Sequence, residues 1–278
     1  MPVKAGRRVG LFSMNQNRSF ALFRSVAVVA LLAGASAGCK TTAQNSDITG
    51  SIGGNVSDTQ LRQVTEAWGE RYKVNPKDPE AAIGYAQALR MSEQRAQAVA
   101  VLEQSAIQNP NNMKVLGAFG RALADVGDFK RALDVLGRAH TPDKPDWRIL
   151  SVQGAVLDQM GRHKDGQRYY ASALKIAPNE PSVLSNLGLS YALSNDLPLA
   201  EKTLRQAIAG GKVDPRVRQN LALVVGLRGR FAEAESIARA DLPPDRAAEN
   251  VAYLKDMLAT DRFKRLGGAA GRDRDGPA

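Results

Sequence analysis

The sequence is poor in the residues that build disulfide frameworks, metal sites and aromatic cores. Its 278 residues include one cysteine, two histidines and only 5% aromatic residues. A lone cysteine excludes an internal disulfide and a zinc site held by several cysteines. Apolar residues nevertheless make up 44% and charged residues 24% of the chain, values that neither a disordered chain nor a polytopic membrane protein shows. The composition favours helices packed closely over small residues.

Acidic residues are missing from the first part of the chain. No Asp or Glu precedes Asp47, whereas five basic residues lie before residue 39, namely Lys4, Arg7, Arg8, Arg18 and Arg24. Residues 25–39 are uncharged and contain the apolar run VAVVALLAGASAG. This run is shorter than the roughly 20 residues that span a bilayer, but it suits the apolar region of a secretory signal. We predict a signal peptide over residues 1–38.

The apolar segment ends in Ser36-Ala37-Gly38 before Cys39. This ending resembles the lipobox of bacterial lipoproteins, with Ser36 where that family usually has Leu. The resemblance implies cleavage before Cys39, lipidation of its thiol and a membrane anchor, and Lys40 resembles the outer-membrane sorting pattern of enterobacterial lipoproteins. The alternative is a plain signal peptide cut after Ala-Ser-Ala, which would leave Cys39 near a free amino terminus. Residues 39–57, rich in Thr, Ser, Gly and Asn, then predict a flexible tether with a reach of roughly 20–25 Å.

A 34-residue period fills most of the remaining chain without insertions. It predicts five repeats, preceded by a half-repeat helix and followed by a capping helix and a disordered tail. The predicted boundaries are 58–78 for the half repeat, 79–112, 113–146, 147–180, 181–214 and 215–248 for the repeats, 249–263 for the cap and 264–278 for the tail.

Small and large residues recur at fixed places of each repeat. The eighth and twentieth places are always Gly or Ala, and the eleventh is large and apolar, as is the twenty-fourth in the first four repeats. We expect the small residues to let the two helices of a repeat approach closely and the large ones to fill the groove between successive repeats. Gly or Asn near the middle of repeats two to five predicts a left-handed turn. The period and these columns of small and large residues at fixed places together resemble the tetratricopeptide repeat (TPR). The resemblance implies an all-α fold in which the helices form an α-α superhelix.

The sequence offers no convincing catalytic, cofactor or metal site. Ser172 and Lys175 form a Ser-x-x-Lys pattern, but the repeat register already explains both residues as parts of a helix. We therefore predict a non-enzyme without a cofactor or a small-molecule substrate. The predicted partner site is the concave face of the first helices of repeats three to five, which is polar with scattered apolar residues. Its residues are Arg148, Ser151, Asp158, Ser182, Ser185, Asn186, Leu189, Arg216, Gln219, Asn220 and Leu223.

Three stretches resemble TadD, the assembly lipoprotein family of tight-adherence (Tad, or Flp) pili. They are SVLSNLGLSYALSNDLPLAE from residue 182, RVRQNLALVVGLRGRFAEAE from residue 216 and ARADLPPD from residue 238. The resemblance implies a lipid-anchored, pilotin-like adaptor at the periplasmic face of the outer membrane, whose partners are the secretin or other pilus components. The alternative is a TPR lipoprotein that serves another envelope assembly, such as polysaccharide export or general outer-membrane assembly.

The formal net charge of +10 does not require a nucleic-acid partner. Five of the 38 basic residues lie in the predicted signal peptide, which leaves 33 basic against 28 acidic residues after it. We therefore expect no nucleic-acid binding.

Overall fold

The protein is described by a computed structural model, which covers residues 58–210 and 214–270, with side chains up to residue 260. The predicted signal peptide, Cys39, the tether and the last eight residues lie outside this part. The described residues form twelve helices, and the all-α prediction is confirmed. They are α1 (Asp58–Val74), α2 (Pro79–Met91), α3 (Arg95–Gln108), α4 (Met113–Asp125), α5 (Phe129–Arg138), α6 (Trp147–Gln159), α7 (His163–Ile176), α8 (Pro181–Leu193), α9 (Leu197–Ile208), α10 (Pro215–Leu227), α11 (Phe231–Ala238) and α12 (Pro244–Ala270).

Each repeat begins with a capped helix. We call α2, α4, α6, α8 and α10 the A helices, and α3, α5, α7, α9 and α11 the B helices. Every A helix starts at the first place of a 34-residue unit, and the side chain just before it accepts a hydrogen bond from a backbone N–H of the first turn. These capping residues are Asp78, Asn112, Asp146, Glu180 and Asp214. Such caps satisfy backbone donors that have no partner within the helix.

The turns between A and B helices adopt the predicted left-handed backbone. The fifteenth place of every repeat has a positive φ, as in Gly127 at 81°, Asn195 at 63° and Gly229 at 82°. The first repeat has Glu93 at this place, with a φ of 59°. Because a side chain at positive φ is disfavoured, the turn geometry of the array overrides the local preference of this residue.

Small residues of an A helix contact large residues of the B helix in the same repeat. A Cβ added to Gly120 would lie 2.4 Å from Cγ of Leu136, and one added to Gly188 would lie 2.6 Å from Cγ of Leu204. The eighth place of an A helix therefore faces the twenty-fourth place of its own B helix. The large residues were expected in the groove between repeats, and the structure shows that their side chains also fill the space that glycine leaves inside the repeat.

The A helices form the inner side of the array. The backbones of successive A helices contact each other, whereas no such contact joins successive B helices anywhere in residues 58–210 and 214–270. A stack whose A helices are closer together than its B helices curves towards the A side. We call the A-helix surface on this side the inner face.

The predicted boundaries of the capping helix and the tail are wrong. Helix α12 starts at Pro244 rather than at residue 249, and it continues to Ala270, into the segment predicted to be disordered. Proline suits a first helical turn, where its missing N–H needs no partner. Ala247 is fully buried against Ala222 and Ala238, so the early turns of α12 already cover the last repeat. Once such a helix is nucleated, each further residue adds a hydrogen bond.

A buried carboxylate joins the fourth repeat to the fifth. Glu201 on α9 is 5% exposed and is paired with Arg205 of its own helix and with Arg228 and Arg230 of the turn after α10. Burial alone would raise the pKa of Glu201. Hydrogen bonds from Arg230, Arg205 and Arg228 outweigh this effect and lower the pKa to about 2.

We expect this cluster to make the free energy of unfolding depend on pH. Because the folded pKa of about 2 lies below the ordinary 4.5, the contribution is complete above pH 4.5 and is lost as the pH falls towards 2. The side chains of the three arginines are 34–45% exposed, so solvent screens them. The contribution of the cluster to the free energy of unfolding is therefore reduced to about 2 kcal/mol. Urea unfolding should show the advantage of wild type over Glu201→Gln shrinking across this range. Glu235→Gln removes a carboxylate whose one ion pair in the described part of the chain is with Arg239, and this control should show no comparable change.

Candidate functional site

The inner face brings several of the predicted groove residues together in a row. The side-chain amide of Asn186 donates a hydrogen bond to Oγ of Ser151 at 3.2 Å. The amide of Asn220 donates to Oγ of Ser185 at 3.0 Å, one repeat further along. In both pairs, the sixth place of one A helix bonds to the fifth place of the preceding A helix. The inner face of repeats three to five is therefore a repeating ladder that ties α6, α8 and α10 together.

The ladder divides the predicted groove residues into buried and accessible ones. Ser151 and Ser185 are only 7% and 5% exposed, so their hydroxyls serve contacts between repeats. The residues that remain accessible are the half-buried Arg148, Asn186, Leu189, Gln219, Asn220 and Leu223 and the exposed Ser182 and Arg216. Amides beside leucines can hydrogen-bond the backbone of an extended peptide and cover its apolar side chains.

Asp158 does not belong to this accessible surface. Its side chain is 8% exposed and lies among α6, α7 and α8. Tyr170 donates a hydrogen bond to its Oδ2 at 2.9 Å, Ser190 donates to its Oδ1 at 2.7 Å, and Nδ1 of His163 lies 2.9 Å from the same oxygen. Burial, and then the neighbouring carboxylate, raise the pKa of Tyr170, which keeps the hydroxyl as a donor. Asp158 is therefore a structural hydrogen-bond acceptor, and the prediction that it lines the groove is wrong.

The inner face of repeats one to three carries a basic group that lies outside the predicted groove except for Arg148. Arg90, Arg121 and Arg148 occupy the twelfth, ninth and second places of α2, α4 and α6, all outside the core columns. We call them the arginine triad. The sequence does contain this signal, because the second, ninth and twelfth places are also groove places in repeats three to five. Arg90 and Arg121 lie in repeats one and two, outside the predicted groove.

The members of the arginine triad differ in their partners. Nε of Arg90 pairs with Oδ2 of Asp125. The guanidinium of Arg148 lies 4.5 Å from the ring centre of Trp147, and the backbone N–H of Arg148 donates to Asp146 at 2.7 Å. Nε of Arg121, in contrast, is buried without a hydrogen-bond partner, and no ion pair of Arg121 occurs within the described residues. Burial, followed by the charge of Arg90, lowers the pKa of Arg121.

The described part of the chain offers no arrangement of metal ligands and no helix suited to crossing a membrane. No group of three or more His, Cys, Asp or Glu side chains there is arranged to hold a metal ion. Among residues 58–210 and 214–270, no helix combines the length and the apolar character needed to cross a membrane.

Known proteins share the fold of this chain. The family model described as "Anaphase-promoting complex, cyclosome, subunit 3" matches residues 63–139. A comparison with curated proteins found no match. Among solved structures, PilW, described as a widely conserved type IV pilus biogenesis factor, has a TM-score of 0.61 at 16% identity, covering 69% of this chain and 91% of PilW.

Two further structures give the same result. The Cut9–Hcn1 hetero-tetramer of the APC/C has a TM-score of 0.55 at 15% identity, and the match covers 69% of this chain and 40% of the other. PilF from Pseudomonas aeruginosa has a TM-score of 0.51 at 16% identity, with 66% and 83% covered. At these identities the similarity concerns the fold, and the chain folds as a TPR-type superhelix. Protein–protein binding is a function that such a scaffold can perform.

Proposed function

We propose that this protein is a lipid-anchored, non-catalytic adaptor at the periplasmic face of the outer membrane. It would assist the assembly of a tight-adherence pilus and its secretin channel by binding a protein component along the inner face. The single observation that carries the binding role is the ladder of Ser and Asn side chains, which places Asn186 and Asn220 beside Leu189 and Leu223 at a constant spacing.

The geometry of the inner face supports a protein ligand rather than a small molecule. Neighbouring A helices present the same pattern one repeat apart, so the surface is long and periodic. An extended peptide has a periodic backbone of donors and acceptors that such a surface can pair with. The half-buried leucines supply apolar contacts at the same spacing.

The pilus assignment rests on two further supports. The stretches from residues 182, 216 and 238 resemble the TadD lipoproteins, and the segment ending at Cys39 resembles a lipoprotein signal. In addition, PilW, with which the chain shares its fold, is described as a type IV pilus biogenesis factor. An anchor would raise the effective concentration of a weakly bound partner at the membrane.

Affinity capture from detergent-solubilised envelopes tests the proposed function. The tagged full chain, expressed in its own host, should retain the secretin of the pilus system. Leu223→Glu on the inner face should reduce the captured secretin about tenfold, because a charge enters the apolar part of the binding surface. Ala171→Glu, which adds the same charge to an exposed place of α7, should retain it.

The same capture experiment also distinguishes the pilus assignment from the alternative, a role in another envelope assembly. Thermal melts of both variants must match wild type, so that lost capture reports the surface and not the fold. Capture of polysaccharide-export proteins in place of the secretin would contradict the pilus assignment. Equal capture by all three proteins would contradict the inner face as the binding surface.

A further inference from the structure

The ends of three consecutive A helices carry large apolar side chains that stay exposed. Val126 and Met160 directly follow α4 and α6, and Leu193 is the last residue of α8. Their exposed fractions are 44%, 40% and 37%. We call these three side chains the apolar ridge. Single exposed apolar residues are common on protein surfaces, but the same kind of residue at the same end of three neighbouring helices forms a row.

Contacts between repeats place the ends of successive A helices side by side. Nε of Arg90, near the end of α2, pairs with Oδ2 of Asp125, the last residue of α4. Ser190 of α8 donates a hydrogen bond at 2.7 Å to Asp158, near the end of α6. The A–B turns that follow these helices therefore lie along one edge of the array, which we call the turn edge.

Helix α1 begins at the turn edge as well. Oγ1 of Thr65 in α1 lies 3.1 Å from Oγ of Ser92, the first residue of the first A–B turn. A shallow cavity at this place is lined by Asp58, Leu61 and Gln94 among other residues. Asp58 is the first residue of α1, and the predicted tether ends just before it. The tether therefore joins the array at the turn edge.

The predicted tether is short compared with the distance between the two edges. It has 19 residues, from 39 to 57, and a predicted reach of roughly 20–25 Å. The edge opposite the turn edge lies about 20 Å further away, because an A helix of 13 residues is about that long. A lipid attached to Cys39 would therefore hold the turn edge nearer to the membrane than the opposite edge.

Two lysines without ion pairs lie beside the apolar ridge. Lys130 and Lys164 are the second residues of α5 and α7, four places after the ridge side chains of repeats two and three. Both are exposed, and no ion pair of either lysine occurs in residues 58–210 and 214–270. The nearby carboxylates of Asp128 and Asp165 are each paired with an arginine. A lysine can lay its methylenes on apolar surface and hold its ammonium group against a phosphate.

We propose that the turn edge lies on the phospholipid surface of the membrane that holds the anchor. The apolar ridge would enter the headgroup region, and Lys130 and Lys164 would contact headgroup phosphates. Apolar side chains bind a membrane interface according to the area they bury, and basic side chains add attraction to anionic lipids. Three half-exposed side chains are too few to hold a free protein on a membrane. An anchor raises the effective concentration of lipid at the turn edge, so a weak contact is enough.

Exposure alone would select the opposite edge. Val74 and Ile107, at the ends of α1 and α3, are 85% and 69% exposed. These helices run away from the turn edge, so both residues lie on the far side from the tether. The position of the tether therefore selects the turn edge, and the opposite edge provides a stringent control.

The membrane contact goes beyond the proposed function and rests on it in one respect, namely the lipid on Cys39. The A helices run from the opposite edge to the turn edge. A protein that lies on its turn edge would hold these helices at a steep angle to the membrane. The inner face would then stay open to a protein partner from the side.

Quenching of a fluorescent label by brominated lipids tests this contact. Gln159→Cys and Gln108→Cys place a thiol on the last, exposed residue of α6 and of α3, at the turn edge and the opposite edge. Each full-length, acylated protein is labelled with bimane and reconstituted into vesicles of phosphatidylethanolamine and phosphatidylglycerol brominated near the headgroups. The label at residue 159 should lose about half of its fluorescence, and the label at residue 108 less than about a tenth. Wild type should take up no label, because the acylated Cys39 has no free thiol.

Substitutions in the Gln159→Cys protein identify the side chains that make the contact. Met160→Glu should reduce the quenching about threefold, because a carboxylate resists transfer from water and is repelled by phosphates. Ile107→Glu, the same change at the opposite edge, should leave the quenching unchanged. The pair Lys130→Gln and Lys164→Gln keeps the apolar ridge intact. It should reduce quenching on vesicles that contain phosphatidylglycerol more than on vesicles of phosphatidylcholine alone.

Several results would overturn the membrane contact. They are equal quenching of the two labels, no quenching at residue 159, and equal effects of Met160→Glu and Ile107→Glu. Dimers that protect residue 159 from brominated lipid would show that a second copy covers the ridge, which would overturn it too. Labelling of wild type at Cys39 would show that the anchor is missing, and the membrane contact would fail with it.

The outcomes also separate the membrane contact from the pilus assignment. If the secretin is captured but the label at residue 159 is not quenched, the membrane contact fails and the adaptor role stands. If that label is quenched but no pilus component is captured, the membrane contact stands and the pilus assignment fails.

Discussion

Replacing Gly166 by Ala should destabilise the array, although four of the five repeats already have Ala at the same place. A Cβ at residue 166 would lie 2.8 Å from the backbone oxygen of Gly154 and 3.2 Å from Oδ1 of Asp158. Since a carbonyl cannot rotate away as a flexible side chain can, helices α6 and α7 must separate. That movement would also strain the hydrogen bond between Tyr170 and Asp158. We expect a loss of about 2 kcal/mol.

Gly137→Ala is the matched control for this prediction. Gly137 lies within α5, and a Cβ there would have no heavy atom within 4 Å. Alanine favours a helix over glycine by about 1 kcal/mol, so this variant should be more stable than wild type. Urea unfolding should then separate the two variants by about 3 kcal/mol. If both substitutions stabilised the protein, the close approach of α6 and α7 at Gly166 would be wrong.

Changing Cys39 to Ala should remove the protein from the outer-membrane fraction almost completely. The proposed anchor is acyl chains on this residue, and burial of acyl chains contributes about 0.8 kcal/mol per methylene. Without the thiol, the lipid cannot be attached. The residues that the structure describes include no helix able to cross a membrane and replace the anchor. Cell fractionation with metabolic labelling by a palmitate analogue measures both the location and the acylation.

Ser36→Leu provides the companion variant for the anchor. It changes the segment before Cys39 to Leu-Ala-Gly-Cys, the usual lipobox sequence, and should leave acylation and outer-membrane location intact or improve them. If the Cys39→Ala protein stayed in the outer-membrane fraction, the lipid anchor would be wrong. Efficient cleavage of wild type after Ala37, without labelling, would favour the plain signal peptide instead.

Much of the fold could be predicted because the repeat supplies the same evidence five times. Each A helix begins at the first place of its unit, after a capping residue such as Asp78 or Asn112. These features depend on neighbouring residues in the chain, so a sequence pattern is enough to find them. The end of the array was less predictable. Helix α12 starts earlier than expected because Ala247 packs against α10 and α11, a contact between distant residues.

The candidate site was predicted only in part, for a similar reason. The sequence places Arg148, Ser151 and Asp158 on one helical face. It does not show which of them a neighbouring helix covers. Asp158 is covered, because Tyr170 and Ser190 reach it from α7 and α8, whereas Arg148 remains half-buried. The unpaired Nε of Arg121 is likewise a property of the packed array.

By itself, the sequence determined the all-α repeat architecture, the period and the left-handed turns, because each follows from local preferences repeated in phase. The tertiary structure decided which equivalent places are interchangeable and which side chains stay accessible. Gly166 shows the difference. The sequence pattern allows either Gly or Ala at the twentieth place. In this repeat, however, Tyr170 replaces the usual Leu at the twenty-fourth place, and its hydroxyl donates a hydrogen bond to Asp158. The space for a methyl group depends on how closely α6 approaches α7, and only the packed chain fixes that distance.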